Sequence, residues 1–135
     1  MNISQATTEY ENWLRNDCPA VVEPELQFKH QEMRRDPFLF FRATYYRWAQ
    51  LWTGIGDDLR HVPEVLAAGD MHVGSFGTWR DTEGRLCWGV DDFDECWPLP
   101  YTNDLVRLAA SVKIVERLGQ LSIPLKDASA AILEG

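Results

Sequence analysis

The sequence predicts an α+β fold with N-terminal helices, a small central β-hairpin or sheet, and C-terminal helices. Apolar and aromatic residues recur at helical spacing in the first 52 residues and again after residue 102. Between these stretches, two short apolar runs flank a cluster of turn-forming residues, which is typical of a hairpin. The 135 residues suit a single domain over 1–135 with its own core.

Three helices are predicted in the first third of the chain, over residues 3–15, 24–35 and 37–52. Ser4 is a candidate N-cap for the first helix. Asp36 is a candidate N-cap for the third, because a proline follows it and suits the first helical position. An aromatic face runs along this third helix at helical spacing, formed by Phe38, Phe41, Tyr45, Trp48 and Trp52.

The centre of the chain predicts β-structure. Residues 65–68 form a short apolar run, and residues 76–80 and 86–90 flank the turn formers of 81–84. The last two runs are therefore predicted to pair as a hairpin. Residues 97–100 contain two prolines and are predicted to be a rigid connector rather than a strand.

Two helices are predicted after the connector. The first covers 103–118 and ends at Gly119. Asp104 is predicted to cap it, with Arg107 paired to Asp104 three residues on. The second begins at Pro124 and continues towards the end of the chain.

The composition disfavours several classes of partner. The formal charge is −8 and no basic stretch stands out, which disfavours nucleic acid and anionic membrane surfaces. Three cysteines without CxxC spacing predict neither a disulfide framework nor a zinc site. Free thiols, the lack of a signal-peptide layout and the lack of a long apolar run together predict a cytoplasmic protein.

A hairpin would bring its acidic ends together. Asp70 and His72 precede the first strand, and four acidic residues follow the second: Asp91, Asp92, Asp94 and Glu95. Like charges at one place repel each other, and a divalent cation removes that conflict. Magnesium takes one or two carboxylates together with substrate phosphates. The alternative interpretation is that these acidic turn residues are simply solvated, and that His72 is a hydrogen-bonded loop residue.

The same arrangement suggests phosphoryl transfer. In such sites one aspartate accepts the proton of an attacking hydroxyl and another holds the metal. Asp70 suits the first role and Asp92 the second. Lys29 and Arg42 are candidate partners for the phosphates of a cofactor, although each alone is more often a surface or salt-bridging residue.

Five motifs in order resemble a known bacterial family, catalogued as domain of unknown function 2252, over residues 25–118. The motifs are Lys29-His30 with Met33; Asp36-Pro37-Phe38 with Phe40-Phe41-Arg42; Gly69-Asp70-Met71-His72 with Phe76-Gly77; Asp92-Phe93-Asp94-Glu95; and Asp104-Leu105 with Arg107-Leu108-Ala109-Ala110-Ser111. That family is similar to protein kinases and aminoglycoside phosphotransferases. The resemblance therefore implies part of a protein-kinase-like fold, with ATP and Mg²⁺ as cofactors.

The resemblance also implies roles for individual residues. Asp70 would be the catalytic base and His72 a second catalytic residue of a GDxHxxN-type loop, and Asp92 would be a magnesium ligand supported by Asp94. Ser75 stands where the family pattern has a metal-binding asparagine, and would be a shorter, weaker metal ligand. Asp91 also stands where the family tends to have asparagine.

No glycine-rich phosphate loop is visible in the chain. The resemblance then implies an incomplete domain, the catalytic-loop portion at the N-terminal end of a longer protein, inactive alone and in need of a missing domain or a second subunit. The acceptor, a small molecule or a protein, is left open. Two other functions also stay open: a non-catalytic interaction domain with an acidic cation-binding hairpin, and metal-dependent hydrolysis.

Overall fold

A computed structural model describes residues 1–134 of the chain. The chain forms two compact units, Met1–Ile55 and Gly56–Gly135. The first is helical and the second combines helices with two small antiparallel sheets, so the predicted α+β class is confirmed. The prediction of one incomplete domain stays a prediction.

The unit Met1–Ile55 contains four helices: α1 (Ile3–Asp17), α2 (Glu23–Arg35), α3 (Pro37–Ala43) and α4 (Tyr45–Trp52). Asn2, not Ser4, caps α1. Its side chain accepts from the backbone N–H of Gln5 over 2.9 Å, and the Gln5 side chain accepts from the N–H of Asn2 over 3.0 Å. Asp36 caps α3 as predicted, since its carboxylate accepts from the N–H of Phe38 over 2.6 Å.

The predicted helix over 37–52 is broken at Thr44, so that prediction is wrong in its length. Thr44 leaves the helical region at φ −114° and ψ 30°. Its hydroxyl donates to the carbonyl of Phe40 over 2.8 Å, which competes with the regular helical bonds. The aromatic face survives the break, because Trp48 stacks on Trp52 and meets Phe41 edge-on.

Over the described residues of the unit Gly56–Gly135, the elements follow in this order: α5 (Asp57–Arg60), β1 (Glu64–Ala67), β2 (Phe76–Arg80), β3 (Leu86–Val90), β4 (Trp97–Pro100), α6 (Thr102–Arg117) and α7 (Leu125–Glu134). Strand β1 pairs with β4, and β2 pairs with β3. The hairpin β2–β3 and its strand bounds are as predicted. Asp81 organises its turn, where Gly84 adopts the left-handed φ of 80°.

Strand β4 contradicts the predicted rigid connector. Pro98 lies opposite Leu66 and Pro100 opposite Glu64 in the antiparallel pair. Just beyond the strand, the N–H of Tyr101 donates to the carbonyl of Pro63 over 3.2 Å. The odd-numbered residues of β4 therefore direct their backbone N–H and C=O groups towards β1. In an antiparallel pair, the residues between them direct their backbone groups away from the partner strand. A proline there removes no hydrogen bond of the sheet, because its missing N–H would point outwards. The two prolines occupy these outward positions.

Within the described residues, no helix combines the length and apolar character that crossing a bilayer would require.

Candidate functional site

The loop over residues 68–75, which follows β1, is held at its start by helix α6. One carboxylate oxygen of Asp104 accepts from the N–H of Ala68 over 2.7 Å, and the other accepts from the N–H of Gly69 over 3.1 Å. Gly69 has φ 83°, a conformation that a residue with a Cβ adopts only with strain. Asn103 adds a bond to the carbonyl of Gly69 over 3.3 Å. These bonds fix the backbone immediately before Asp70.

Arg107 of α6 fixes the Asp70 side chain itself. The Nε of Arg107 donates to Oδ1 of Asp70 over 2.8 Å, and Nη2 contacts the same oxygen. The Arg107 side chain is 1% exposed, whereas that of Asp70 is 17% exposed. The pair therefore joins a buried cation to a carboxylate whose edge still reaches solvent. Charge-assisted hydrogen bonds of this kind are strong, because both partners are ionised.

His72 and Ser75 close the loop on itself. Both are buried. The N–H of Gly74 donates to Nδ1 of His72 over 3.0 Å, so the neutral ring carries its proton on Nε2. The Ser75 hydroxyl accepts from the N–H of His72 over 3.1 Å and lies 3.3 Å from the carbonyl of Asp70. The structure thus brings Asp70, His72 and Ser75 together in one loop, and the interpretation of His72 as a hydrogen-bonded loop residue describes it well.

The loop rests on a polar face of α6 that the sequence interpretation missed. This face consists of Asn103, Asp104, Arg107 and Ser111, and the Ser111 hydroxyl accepts from the N–H of Val73 over 3.0 Å. The predicted pairing of Arg107 with Asp104 is wrong, because Arg107 bonds to Asp70 and Asp104 bonds to the loop backbone. Asp104 is also not the N-cap, because the helix begins at Thr102. The sequence feature that could have predicted this face is the spacing of the four polar residues, which places them on one side of a helix.

The hairpin brings the acidic segment beside this loop through the backbone. The N–H of Asp91 donates to the carbonyl of Ser75 over 3.0 Å, one step beyond the ladder pair Phe76 and Val90. A Cβ at Gly77 would collide with the carboxylate of Asp91. Because Gly77 has no Cβ, the Asp91 carboxylate can occupy that space.

The expectation that six ionisable groups meet in one cluster is not met. Within residues 1–134, no three His, Cys, Asp or Glu side chains form a group able to hold a metal ion. Two contacts and one exposed side chain explain this. Asp70 bonds to Arg107, Asp91 lies against Gly77, and Asp94 is exposed. Asp92 directly follows Asp91 and is half-buried. A magnesium ion held by one or two carboxylates and by phosphates needs no larger cluster.

Lys29 and Arg42, the predicted cofactor partners, belong to the unit Met1–Ile55. The Nζ of Lys29 lies 5.1 Å from the ring centre of Tyr10 and 5.6 Å from that of Tyr46. Burial lowers the pKa of Lys29, an effect that the negative charge of Glu11 partly offsets. Arg42 is exposed in the last turn of α3. Their contact with a cofactor stays a prediction.

Comparison with known proteins identifies a family. The sequence pattern of bacterial proteins described as "uncharacterized protein conserved in bacteria", domain of unknown function 2252, matches residues 21–133. No curated protein and no solved structure matches the chain. The match covers most of the chain and includes the Asp70 loop, the hairpin and α6. The chain therefore belongs to the bacterial family known as domain of unknown function 2252.

Proposed function

We propose that the unit Gly56–Gly135 is the catalytic-loop portion of a cytoplasmic, kinase-like phosphotransferase that uses ATP and Mg²⁺. The observation that carries the proposal is the attachment of Asp70 to α6. Asp104 holds the backbone before it and the buried Arg107 holds its carboxylate.

This attachment favours a chemical role over a purely structural one. Removing an arginine from water is unfavourable, and a well-packed apolar pair would stabilise the fold equally well. The buried groups here fix a single carboxylate that remains 17% exposed. A catalytic base requires such preorganisation, because its position relative to the reacting atom decides the rate.

In the proposed reaction, Asp70 accepts the proton of an acceptor hydroxyl while that oxygen bonds to the γ-phosphorus of ATP. The bond from this phosphorus to the bridging oxygen breaks, and ADP leaves with the electron pair. Mg²⁺ supplies charge neutralisation on the phosphates. Asp92 and Asp94 are the proposed carboxylates for it. Ser75 supports the loop in this scheme, because its hydroxyl is occupied there.

A second candidate is a non-catalytic interaction domain. The observation that favours it is the exposure of large apolar side chains in the sheets: Trp88 is 70% exposed and Trp97 68% exposed. Large exposed apolar areas mark surfaces that another domain or subunit covers. In this alternative, the acidic segment is a solvated or cation-binding loop.

Metal binding in the presence of a nucleotide tests the first proposal. Mn²⁺ replaces Mg²⁺ as a paramagnetic probe, and a non-hydrolysable ATP analogue replaces ATP, so binding is measured without turnover. We expect one Mn²⁺ to bind per chain, with broadening of the amide signals of residues 70–75 and 91–94. Asp92→Asn should weaken that binding about tenfold or more.

Glu95→Gln is the matched control, because Glu95 is an exposed carboxylate three residues further along the same segment. It should leave Mn²⁺ affinity unchanged. Equal effects of the two substitutions, or the same Mn²⁺ binding without the nucleotide, would reject the proposed site. Self-association without nucleotide binding would favour the interaction domain.

A further inference from the structure

The unit Met1–Ile55 contains a cleft of about 520 Å³ that the proposed phosphotransferase chemistry does not use. It lies between the first turns of α1, the second half of α2 and the Phe40 side chain of α3. Ile3, Met33 and Phe40 give it an apolar wall. A volume in this range suits a small organic ligand, and binding sites of this kind combine an apolar lining with a few polar groups.

The acidic group in the cleft, Glu11, already has two partners within the chain. Glu11 is only 6% exposed. Its Oε1 lies 2.6 Å from Nε2 of His30, and its Oε2 lies 3.7 Å from the guanidinium of Arg15. Its Oε1 holds the His30 ring at the side of the cleft. Glu11 keeps its negative charge, because the guanidinium of Arg15 also bonds to Glu23 over 2.7 Å.

Arg34 provides the charge that remains. It lines the cleft, and within residues 1–134 it forms no hydrogen bond or ion pair. The neighbouring Arg35, in contrast, bonds to Glu32 over 2.6 Å. A guanidinium offers a planar pair of donors that matches a carboxylate. The cleft thus has an apolar wall and one uncompensated cation.

We propose that this cleft binds a small apolar monocarboxylate, independently of any nucleotide site in the chain. The carboxylate of the ligand pairs with Arg34, and its alkyl or aryl body packs against Met33 and Phe40. A single negative charge suits the site better than a phosphate dianion, because the Glu11 carboxylate lies in the same cleft.

The test uses the full chain and 4-phenylbutyrate as the probe. The chain has three methionines, and Met33 is the one that lines the cleft. In spectra of ¹³C-methyl methionine, the probe should shift the Met33 methyl signal and leave that of the buried Met71 in place. An affinity on the order of 0.1–1 mM is expected for a ligand of this size.

Two comparisons measure how much the ion pair between Arg34 and the ligand carboxylate contributes to binding. Arg34→Gln should weaken binding about two- to fivefold, because solvent screens an ion pair made by the exposed Arg34. Arg35→Gln should not change it, because Arg35 lies outside the cleft. The neutral analogue 4-phenylbutanol should bind more weakly than the carboxylate by about the same factor.

Three results would overturn the proposal. The first is the absence of a Met33 shift at about 10 mM probe, which is tenfold above the weakest dissociation constant expected. The second is equal affinity for the acid and the alcohol, which would leave only apolar contact. The third is an equal loss of affinity in the Arg34 and Arg35 variants.

Discussion

The loop over residues 68–75 and the acidic segment over residues 91–95 were both recognised by their motifs, but the structure holds them in different ways. The loop is fixed by side chains of α6, among them the half-buried Asp104 and the buried Arg107. The acidic segment is joined to that loop by a backbone bond between Asp91 and Ser75, and most of its side chains are exposed.

This difference suggests that the two halves of the proposed site are prepared to different degrees. The position of Asp70 is set by the chain before any ligand arrives. The acidic segment has fewer buried attachments, so its carboxylates can adjust to a cation or to a partner at little cost. Segments with few buried contacts are generally the ones that move or open locally.

The largest expected effect comes from removing the cation that holds the loop. Arg107→Ala leaves the Asp70 carboxylate without that ion pair, and we expect the free energy of unfolding to fall by about 3 kcal/mol. Urea unfolding followed by tryptophan fluorescence measures the change. Arg117→Ala, at the exposed end of the same helix, should change it by less than about 0.5 kcal/mol. If both variants lose the same stability, the Asp70–Arg107 pair does not hold the loop.

A medium effect is expected where the hairpin meets the acidic segment. Gly77→Ala places a Cβ in the space of the Asp91 carboxylate, and we expect a loss of about 1 kcal/mol, because the exposed Asp91 side chain must adopt another rotamer. Asp91→Ala in the same chain should restore most of it, because the collision disappears. A double-mutant cycle by urea unfolding measures this coupling.

Gly54→Ala is the matched glycine control. An added Cβ there would lie 3.6 Å from the carbonyl oxygen of Leu51, an ordinary van der Waals contact, so a change of under about 0.5 kcal/mol is expected. Strictly additive effects of Gly77→Ala and Asp91→Ala would mean that the two groups are not in contact.

The smallest effect concerns the turn of the hairpin at low pH. The hydrogen bond from the Arg85 side chain, followed by backbone bonds, lowers the pKa of Asp81. A carboxylate with a lowered folded pKa stabilises the fold above its ordinary pKa, about 3.9, and this contribution is lost as the pH falls through the lower folded pKa. The Arg85 amide signal should therefore move with a midpoint below that ordinary value in an NMR titration.

Asp81→Asn removes the titrating group, and the Arg85 amide should then be insensitive to pH in this range. A wild-type midpoint at or above the ordinary aspartate value would contradict the assignment of Arg85 as the stabilising partner.

Local patterns predicted much of this fold. Turn formers between two apolar runs placed the hairpin with the bounds that the structure shows. The prediction of a connector over 97–100 was wrong, because prolines normally argue against a strand. Only the pairing with β1 shows that Pro98 and Pro100 both occupy outward positions of β4. The break at Thr44 was equally invisible, since a threonine hydroxyl bonds to its own helix without any sequence signature.

The motifs of the site could be predicted from the sequence, but the contacts that hold the Asp70 loop on α6 could not. Asp70 and His72 were recognised directly, whereas Arg107 pairs with Asp70 across 37 positions of the sequence. A pairing at that distance depends on how the elements pack, and the nearer Asp104 was the natural expectation for a helix.

The prolines of β4 have a consequence for how copies of this chain meet. A two-stranded sheet exposes backbone donors and acceptors along both outer edges, and these can pair with a strand of another molecule. Pro98 and Pro100 remove donors from the outer edge of β4. The β2–β3 hairpin has no proline in either strand. At high concentration, intermolecular strand pairing should therefore begin at the hairpin, and a proline at an outward position of β3 should suppress it in light-scattering measurements.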